Sequence, residues 1–362
     1  MTSSFVKARI IYNSLIIGAA AASLARIPTI CKILHNLSRI YIVKTKIDVL
    51  RSMSKSVHEE CEWQIINKFS ETPDTYTYSF IPTSKSKQFR FNIGHSVTIS
   101  AFLKRPSASG KFEEDLVQRT YSIASSPTRD KIDLTIKDEK PYGYINPATG
   151  KADGFAAYFF EQYSIGRKLN VRLNPTKNHF LWKIAAGIER DIAYWSGANG
   201  AEPARSLIQL MEDTKGGGLN LTLFYSNPYL YADEARKNVN VIYYKWLVDM
   251  AKKMQNFKVV FTFTRDKELY TSEHDRIIYR KGRFFVAPNG EEERTLSKYH
   301  GNSEASFNPV CGSSGFINGI VKLPNGKIER RKGIIQDLMN IEGVKPEKID
   351  KEQYYLQLVG AK

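Results

Sequence analysis

Hydrophobic and polar side chains alternate in short stretches over residues 61–180, and turns rich in Pro, Gly and Ser separate these stretches. A repeat of two residues predicts β-strands with one buried face. The predicted strands cover residues 63–69, 75–81, 95–102, 120–124, 131–137 and 168–173, and one helix is predicted at 155–162. Several short strands at this spacing predict a small antiparallel β-barrel.

The pattern changes after Arg190, where apolar strands alternate with stretches of helical period. Strands are predicted at 192–195, 219–225, 258–264 and 307–310, and helices at 204–211, 242–254 and 315–322. This alternation predicts βαβ units on a parallel sheet. Because such sheets bind ligands at the carboxyl ends of their strands, we expect the chemistry in the loops after Trp195, Tyr225, Thr264 and Val310.

The first fifty residues have a third pattern. No acidic residue precedes Asp48, and residues 10–25 form an uncharged run that is somewhat shorter than the ~20 residues of a membrane span. A membrane anchor, an organellar targeting peptide and a helix packed on the body are the alternatives. The anchor is favoured. The excess of Lys and Arg after the run then predicts a body on the cytoplasmic face of a membrane, with a mitochondrion or another organelle as the alternative.

Composition narrows the classes of function. Of the 362 residues, 42% are hydrophobic and 25% charged, as in ordinary globular proteins, which excludes disorder for the bulk of the chain. Three cysteines are too few for a disulfide scaffold or for a cluster held by four thiolates. The six histidines show no metal-ligand spacing, so no metal site is predicted.

The chain carries an excess of positive charge, since 53 Lys and Arg against 37 Asp and Glu give +16. Such a balance suits nucleic acid, anionic lipid or an acidic protein partner. The basic residues are dispersed, and no nucleic-acid-binding motif is present. A membrane surface or an acidic redox partner is therefore favoured over nucleic acid.

The first chemical motif is Arg-Thr-Tyr-Ser-Ile-Ala-Ser-Ser-Pro at residues 119–127. On a strand, Arg119 and Tyr121 share one face and Ser122 lies on the other. An Arg binds phosphate, a Tyr stacks on a ring and a Ser bonds a ring nitrogen, so the motif suits a phosphorylated planar cofactor. The alternative is an ordinary barrel strand with a surface Arg.

The second motif is Ser-Gly-Ala-Asn-Gly-Ala-Glu-Pro at residues 196–203, between a predicted strand and a predicted helix. Gly197 and Gly200 would let backbone amides approach a pyrophosphate at the helix N-terminus, and Pro203 suits the first helical turn. The segment is not the G-x-G-x-x-G fingerprint, and many strand–helix turns contain glycine.

Two further segments lie towards the end of the chain. Cys311 and Gly312 follow the strand predicted at 307–310, and Glu352 lies in a charged segment that predicts a terminal strand. An isolated cysteine is most often a buried structural thiol.

In their order and spacing, these four motifs resemble those of the ferredoxin–NADP reductase superfamily, over about residues 63–355. Members of this family have a flavin-binding β-barrel followed by a nicotinamide-binding α/β domain with a parallel sheet. A basic, hydrophobic N-terminal segment that is predicted to be helical covers residues 1–58. The resemblance implies an FAD-binding barrel at 59–182 and a domain for NADPH or NADH at 188–362. It also implies an enzyme that transfers electrons between NAD(P)H and a separate one-electron carrier. The positive charge fits an acidic ferredoxin or flavodoxin.

The resemblance assigns roles to individual residues. Tyr121, Ser122, Cys311 and Glu352 would be the catalytic group. The flavin would contact Arg119, Tyr121, Ser122, a helix containing Gly154 and Ala157, and Tyr354 or Tyr355. The dinucleotide would contact Gly197, Gly200, Pro203 and Gly312. Thr264 and Arg265 would bind a 2′-phosphate, which favours NADPH.

Three departures from the family pattern favour a second hypothesis. Ala157 stands where the family usually has Ser, no glycine follows Pro175, and Glu202 places a carboxylate near the expected phosphate. The alternative function is a non-catalytic or degenerate subunit, or scaffold, of a larger and possibly membrane-bound assembly.

Overall fold

Six antiparallel strands form the first sheet of the protein. The computed structural model describes residues 60–83, 91–106, 112–137, 164–174, 181–233, 235, 238–287, 289–301, 305–322 and 327–354. The strands are β1 (Glu60–Thr72), β2 (Thr75–Pro82), β3 (Ser96–Pro106), β4 (Phe112–Ser122), β5 (Ile132–Lys137) and β6 (Lys168–Asn174). Their order in the sheet is β4-β3-β6-β1-β2-β5.

The alternating pattern places one face of this sheet in a core. In β6, Leu169, Val171 and Leu173 are buried and the residues between them are exposed. Beyond β4, the amide of Ala124 donates a 2.8 Å hydrogen bond to the carbonyl of Asp133 in β5. Because β4 and β5 lie at opposite edges of the sheet, this bond draws the edges together.

The second sheet has six parallel strands. They are β7 (Asp191–Gly197), β8 (Asn220–Asn227), β9 (Phe257–Phe263), β10 (Ile277–Lys281), β11 (Asn308–Ser313) and β14 (Ile349–Tyr354), in the order β10-β9-β8-β7-β11-β14. β12 (Ile320–Lys322) and β13 (Ile328–Arg330) form a separate antiparallel pair. The predicted fold class, an antiparallel flavin-type barrel sheet followed by an α/β parallel sheet, is confirmed.

Helices cover both faces of the parallel sheet. They are α1 (Trp182–Ala185), α2 (Ala201–Asp213), α3 (Tyr244–Lys253), α4 (Thr295–Tyr299), α5 (Ser314–Asn318) and α6 (Ile334–Asn340). α2 buries Ala204, Leu207, Ile208 and Met211 against one face, as a helical period of apolar residues requires. On the other face, the rings of Trp195 and Phe224 stack 4.0 Å apart.

The strand order creates a switch point beside β7. β8 and β9 are added on one side of β7, whereas β11 and β14 are added on the other. In such sheets the loops at the carboxyl ends of the two diverging strands leave a crevice that binds ligands. The strand order therefore predicts a crevice at the loops that follow β7 and β11.

The helix predicted at 315–322 is wrong in its second half. α5 ends at Asn318, and Gly319 caps it in the left-handed conformation, with φ at 69°. A Cβ atom at Gly319 would overlap the carbonyl group of Arg331, so no other residue fits this turn. The chain then enters β12 instead of continuing the helix.

Several elements were not predicted. β10, α4, β12, β13 and α6 all fall in stretches with many polar residues, and β10 includes Arg280. The helix predicted at 155–162 lies outside the described residues. So does the run 10–25, and none of the helices that the structure does describe is long and apolar enough to cross a membrane.

Candidate functional site

The backbone of the turn between β7 and α2 packs closely against the end of β11. β7 ends at Gly197, residues Ala198–Gly200 form a single 3₁₀ turn, and α2 begins immediately afterwards. A Cβ atom at Gly200 would overlap the carbonyl oxygen of Cys311. Only glycine fits this approach, so the turn and Cys311 are held side by side.

A second glycine contact lies at the same edge. Added Cβ atoms at Gly197 and Gly312 would come within 2.7 Å and 2.9 Å of the ring of Phe316, respectively. The Gly312 Cβ position also lies 3.3 Å from the carbonyl oxygen of Gly197. The two predicted glycine motifs are therefore neighbours, and their backbones pack against each other and against Phe316.

Two buried polar atoms lie near the carboxyl ends of β7 and β8. Neither Ser196 Oγ nor Asn227 Nδ2 has a hydrogen-bond partner among the described residues. Buried polar atoms are nearly always bonded, so such a pair of atoms marks capacity to bind a polar ligand. Both residues adjoin the crevice, since Ser196 precedes the glycine turn and Asn227 ends the neighbouring strand.

Ser122, Cys311 and Glu352 form one cluster. Ser122 Oγ donates a 3.2 Å hydrogen bond to Glu352 Oε1, and Cys311 Sγ donates to Glu352 Oε2 at 3.6 Å. The parallel pairing of β11 with β14 places Cys311 directly beside Glu352, whereas Ser122 comes from the antiparallel sheet. Three of the four residues predicted to be catalytic therefore meet where the two sheets meet.

The environment of Glu352 favours the protonated carboxyl. Burial raises its pKa from 4.5 to about 7, although the hydrogen bonds from Ser122 and Cys311 lower it, and the nearby Asp350 charge raises it further. Burial also raises the pKa of Asp350 to about 6, against the bonds from the Leu181 and Lys351 amides. Glu352 can therefore hold or release a proton near neutral pH, as a general acid or base requires.

Tyr194 adds a group that sequence reasoning missed. Its hydroxyl is fully buried and donates a 3.2 Å hydrogen bond to the carbonyl of Gly200. Burial raises the pKa of Tyr194 well above 10, and the neighbouring Cys311 and Glu352 raise it as well. A signal was available, because a buried phenol in a central strand needs a hydrogen-bond partner.

Glu202 lies in the first turn of α2, beside Pro203, and is 4% exposed. Burial raises the pKa values of Tyr194, Tyr225 and Tyr243, and the charge of Glu202 raises all three further. The carboxylate that the sequence placed near the expected phosphate is thus buried close to these phenols.

Arg119 and Tyr121 lie on β4, three residues and one residue before its last residue, Ser122. Arg119 Nη1 donates a 2.9 Å hydrogen bond to the carbonyl of Gln118, and the residue is partly buried. Tyr121 is also partly buried and packs on the core of the antiparallel sheet. Both side chains are on the strand that carries Ser122, so the three residues of the first motif stay together.

Thr264 and Arg265 follow β9, at the same edge of the sheet but further from Cys311 in strand order. Their amides donate hydrogen bonds of 3.0 Å and 2.9 Å to the carbonyls of Asn227 and Pro228, which fixes the backbone of the turn. Both side chains are exposed. A hydroxyl and a guanidinium on a fixed turn form a suitable site for an anion.

Tyrosine rings form a wall beside this turn, which the sequence did not predict. The ring of Tyr270 lies 6.1 Å from that of Tyr231 and 6.2 Å from that of Tyr279. The hydroxyls of Tyr279 and Tyr244 are 2.6 Å apart. A partly exposed aromatic wall can stack against a planar base.

The remaining predicted site residues are not tested. Gly154, Ala157 and Tyr355 lie outside the described residues, and Tyr354 is the last residue of β14. Within the described part of the chain, no group of three His, Cys, Asp or Glu side chains is placed to hold a metal ion.

Comparison with solved structures gives the fold. The FAD/NAD-binding domain of nitric oxide dioxygenase from Vibrio cholerae is 12% identical, covers 82% of this chain and 99% of its own, and has a TM-score of 0.53. A ferredoxin NADP+ reductase from Neisseria gonorrhoeae is 14% identical, with the same coverages and a TM-score of 0.52. The chain has the fold of the ferredoxin–NADP reductase superfamily.

The same fold occurs in a flavohemoglobin from Malassezia yamatoensis, which is 15% identical with a TM-score of 0.55 over 95% of this chain and 74% of that one. No protein-family model and no curated protein matches the sequence. The fold that the resemblance implied is therefore confirmed, whereas the roles of individual residues stay predictions.

Proposed function

We propose that the protein is a flavin-dependent oxidoreductase that transfers electrons between NAD(P)H and a separate one-electron carrier. The convergence of Ser122, Cys311 and Glu352 from three strands carries the proposal. Each residue belongs to a different motif, and hydride transfer requires a flavin site and a nicotinamide site to meet at one point. The Neisseria gonorrhoeae reductase, which shares the fold, was crystallised with FAD and NADP.

The residues of β4 fit FAD. Arg119 would bind a flavin phosphate, Tyr121 would stack on the flavin ring and Ser122 would hydrogen-bond a ring nitrogen. Arg119 and Tyr121 are only partly buried, so a ligand can reach both. Gly154 and Ala157 would lie in the helix at the flavin pyrophosphate, and Tyr354 or Tyr355 would lie at the flavin edge.

The crevice beside β7 fits the pyrophosphate and nicotinamide of NADPH or NADH. Gly197 and Gly200 flank the turn that precedes α2, and backbone amides at a helix N-terminus can bind a phosphate. Ser196 Oγ and Asn227 Nδ2 are buried and have no partner among the described residues, which supports a polar ligand at this edge. Pro203 lies in the first turn of the supporting helix, and Cys311 with Gly312 would flank the nicotinamide ring.

FAD, when bound, supplies the capacity to accept a hydride and to release electrons one at a time. The chain supplies position and a proton. Glu352, with a pKa of about 7, holds a proton between the Ser122 hydroxyl and the Cys311 thiol. Ser122 would connect this proton to the flavin site, and Cys311 would fix the nicotinamide beside it.

The choice of nucleotide depends on the turn after β9. The exposed Thr264 hydroxyl and Arg265 guanidinium would bind the 2′-phosphate, which favours NADPH over NADH. The backbone hydrogen bonds of both residues hold this turn in place without a ligand.

The net charge of +16 supports an acidic ferredoxin or flavodoxin as the carrier. Complementary charge mainly speeds the encounter, so added salt should slow reduction of the correct carrier. A rate that does not change with salt would contradict an acidic carrier.

Residues 10–25 would attach the protein to the cytoplasmic face of a membrane. Fractionation of the full-length protein tests this attachment, and a protein that stays soluble at low salt would contradict it.

One observation favours the alternative of a degenerate subunit or scaffold. Glu202 buries a carboxylate in the first turn of α2, where a helix N-terminus would otherwise attract an anion. A Tyr121→Ala variant distinguishes the two functions. Under the oxidoreductase proposal it lowers FAD occupancy, which the visible spectrum reports, whereas Tyr229→Ala, at an exposed tyrosine, leaves occupancy unchanged. A folded wild-type protein that cannot be reconstituted with FAD would contradict the proposal.

A further inference from the structure

One face of α2 docks on the turn that follows the Arg119–Ser122 motif. Ser206 Oγ donates a 2.6 Å hydrogen bond to the carbonyl of Ser125, and the amide of Ser126 donates a 3.0 Å bond to Gln209 Oε1. Nearer the end of α2, Asp213 pairs with Arg129 at 2.9 Å. Hydrogen bonds and an ion pair therefore hold α2 against this turn, and they fix its orientation because such contacts depend on geometry.

A buried ion pair lies at the centre of this boundary. Arg205 Nη1 of α2 is 3.0 Å from Asp133 Oδ2 of β5, and the two side chains are 13% and 1% exposed. The same Arg205 nitrogen donates to the carbonyl of Ala124 at 3.3 Å. Its guanidinium also lies 4.9 Å from the ring centre of Tyr243 and 5.7 Å from that of Trp246. The side chain is therefore held in one orientation by contacts on several sides.

Asp133 is equally well held on the other side. It accepts a 2.6 Å hydrogen bond from Ser79 Oγ, its own amide donates a 3.0 Å hydrogen bond to Ser125 Oγ, and Lys131 Nζ lies 3.0 Å from the carboxylate. Burial by itself would raise the pKa of Asp133, but the Arg205 charge, the Ser79 bond and Lys131 together lower it. The ionised carboxylate of Asp133 is therefore favoured, and the pair has a defined geometry.

The pair is close in sequence to both proposed cofactor sites. Arg205 is five residues after Gly200, on the helix that begins at the glycine turn. Ala124, whose carbonyl Arg205 binds, is two residues after Ser122. A helix and a short hydrogen-bonded segment are both rigid. Arg205 therefore fixes the position of the glycine turn relative to that of Ser122.

We propose that the Arg205–Asp133 pair is a positioning device that sets the placement of the glycine turn relative to the Ser122 strand, and thereby the rate of hydride transfer. The inference rests on the proposed function. Neither residue is among those proposed to bind FAD or the dinucleotide, so the pair should affect the rate and leave binding unchanged. A displacement of about 1 Å at the reacting atoms can slow a reaction by on the order of a hundredfold.

The test compares Arg205→Met, Asp133→Asn and the double variant with the wild type, all as full-length protein loaded with FAD. Arg129→Met is the matched control, because Arg129 joins α2 to the same turn through a more exposed pair whose side chains are 31% and 23% exposed. Stopped-flow absorbance gives the rate of flavin reduction without oxygen, and titration with oxidised dinucleotide gives its Kd. Reoxidation of the flavin by ferricyanide is the control reaction, because it needs no dinucleotide.

Arg205→Met is expected to slow flavin reduction about tenfold or more, with FAD occupancy, dinucleotide Kd and ferricyanide reoxidation unchanged. The double variant should be no slower than Arg205→Met, because the two residues act as one unit. Arg129→Met should match the wild type. In protein without FAD, hydrogen exchange at the Ser126 and Asp133 amides should rise severalfold in Arg205→Met, which gives a readout independent of turnover.

Removal of one partner from a buried pair can prevent folding. Arg205→Lys keeps the charge but loses the planar contact with Tyr243 and Trp246, and it should show a smaller loss of the same kind. A wild-type rate in folded Arg205→Met or Arg205→Lys would overturn the inference, as would a Kd that weakens by the same factor as the rate. A wild-type protein that neither dinucleotide reduces would refute the proposed function itself.

Discussion

The hydroxyl of Ser122 donates a 3.2 Å hydrogen bond to Glu352, although 230 positions separate the two residues in the chain. The bond joins the last residue of β4 to the edge strand of the parallel sheet. It therefore links the proposed flavin site to the proposed nicotinamide site through a group whose pKa is about 7. Loss of this bond should be visible in how the reaction depends on pH.

Ser122→Ala should raise the pKa of Glu352 above 7, because the Ser122 bond stabilises the carboxylate. The limb of the pH profile of flavin reduction that reports Glu352 should then move to higher pH. Ser100→Ala, which removes a hydroxyl from the neighbouring strand β3, is the control and should leave the profile in place. An unchanged profile in Ser122→Ala would mean that Glu352 does not govern the rate.

Glu352 should also make stability depend on pH. The folded pKa, about 7, lies above the usual 4.5, so the folded protein binds more protons than the unfolded chain between these values. The contribution of the group is present below pH 4.5 and is lost as the pH rises through 7. The loss is at most about 3.5 kcal/mol, from about 2.5 pK units at about 1.4 kcal/mol each, and solvent around this partly exposed residue reduces it.

Glu352→Gln should abolish this dependence, and its free energy of unfolding should exceed that of the wild type more at pH 8 than at pH 5. Chemical denaturation at the two pH values measures the difference. Equal differences at both pH values would contradict the raised pKa.

Gly200→Ala should destabilise the protein by about 3 kcal/mol and weaken dinucleotide binding, because the new methyl group would overlap the Cys311 carbonyl. Gly187→Ala is the control. Gly187 has φ at 70° and no atom near its Cβ position, so it reports the strain of a left-handed alanine alone, about 1 kcal/mol. Similar losses in the two variants would show that the contact with Cys311 is not tight.

Arg265→Ala should lower kcat/KM for NADPH about tenfold or more and leave the value for NADH unchanged, because a charge-assisted bond to phosphate contributes about 1.5–3 kcal/mol. Since Arg265 is exposed, the melting temperature should not change. Lys252→Ala removes an exposed charge from the end of α3 and serves as the control. A clear preference of the wild type for NADH would contradict the assignment of this turn.

The spacing of hydrophobic residues along the chain predicted most of the fold. β6 buries every second side chain, and the central parallel strands bury continuous runs of side chains. The prediction failed where the burial is incomplete. β10 contains partly buried Ile278 and Tyr279, and the helix after β11 stops because Gly319 packs against Arg331. Contacts between distant segments decide both cases, and a local period does not contain them.

The candidate site was predicted by resemblance rather than by period. Nothing in the sequence near Ser122 indicates that Glu352 approaches it, and the order of four motifs provided that expectation. Arg205 was missed because its partner, Asp133, becomes a neighbour only after the sheets assemble. Tyr194 was missed although its partner, Gly200, is only six residues away, because the strand pattern does not show which carbonyl the hydroxyl reaches. Their sequence signal is a polar side chain within a buried element, which is easily taken for a surface position.

The most direct test of the central claim is the visible spectrum of the full-length protein, purified in mild detergent and supplied with FAD, before and after NADPH or NADH is added without oxygen. The proposed function predicts a yellow protein that the nucleotide bleaches, faster with NADPH than with NADH. A yellow protein that neither nucleotide bleaches would contradict electron transfer from NAD(P)H and would favour the scaffold.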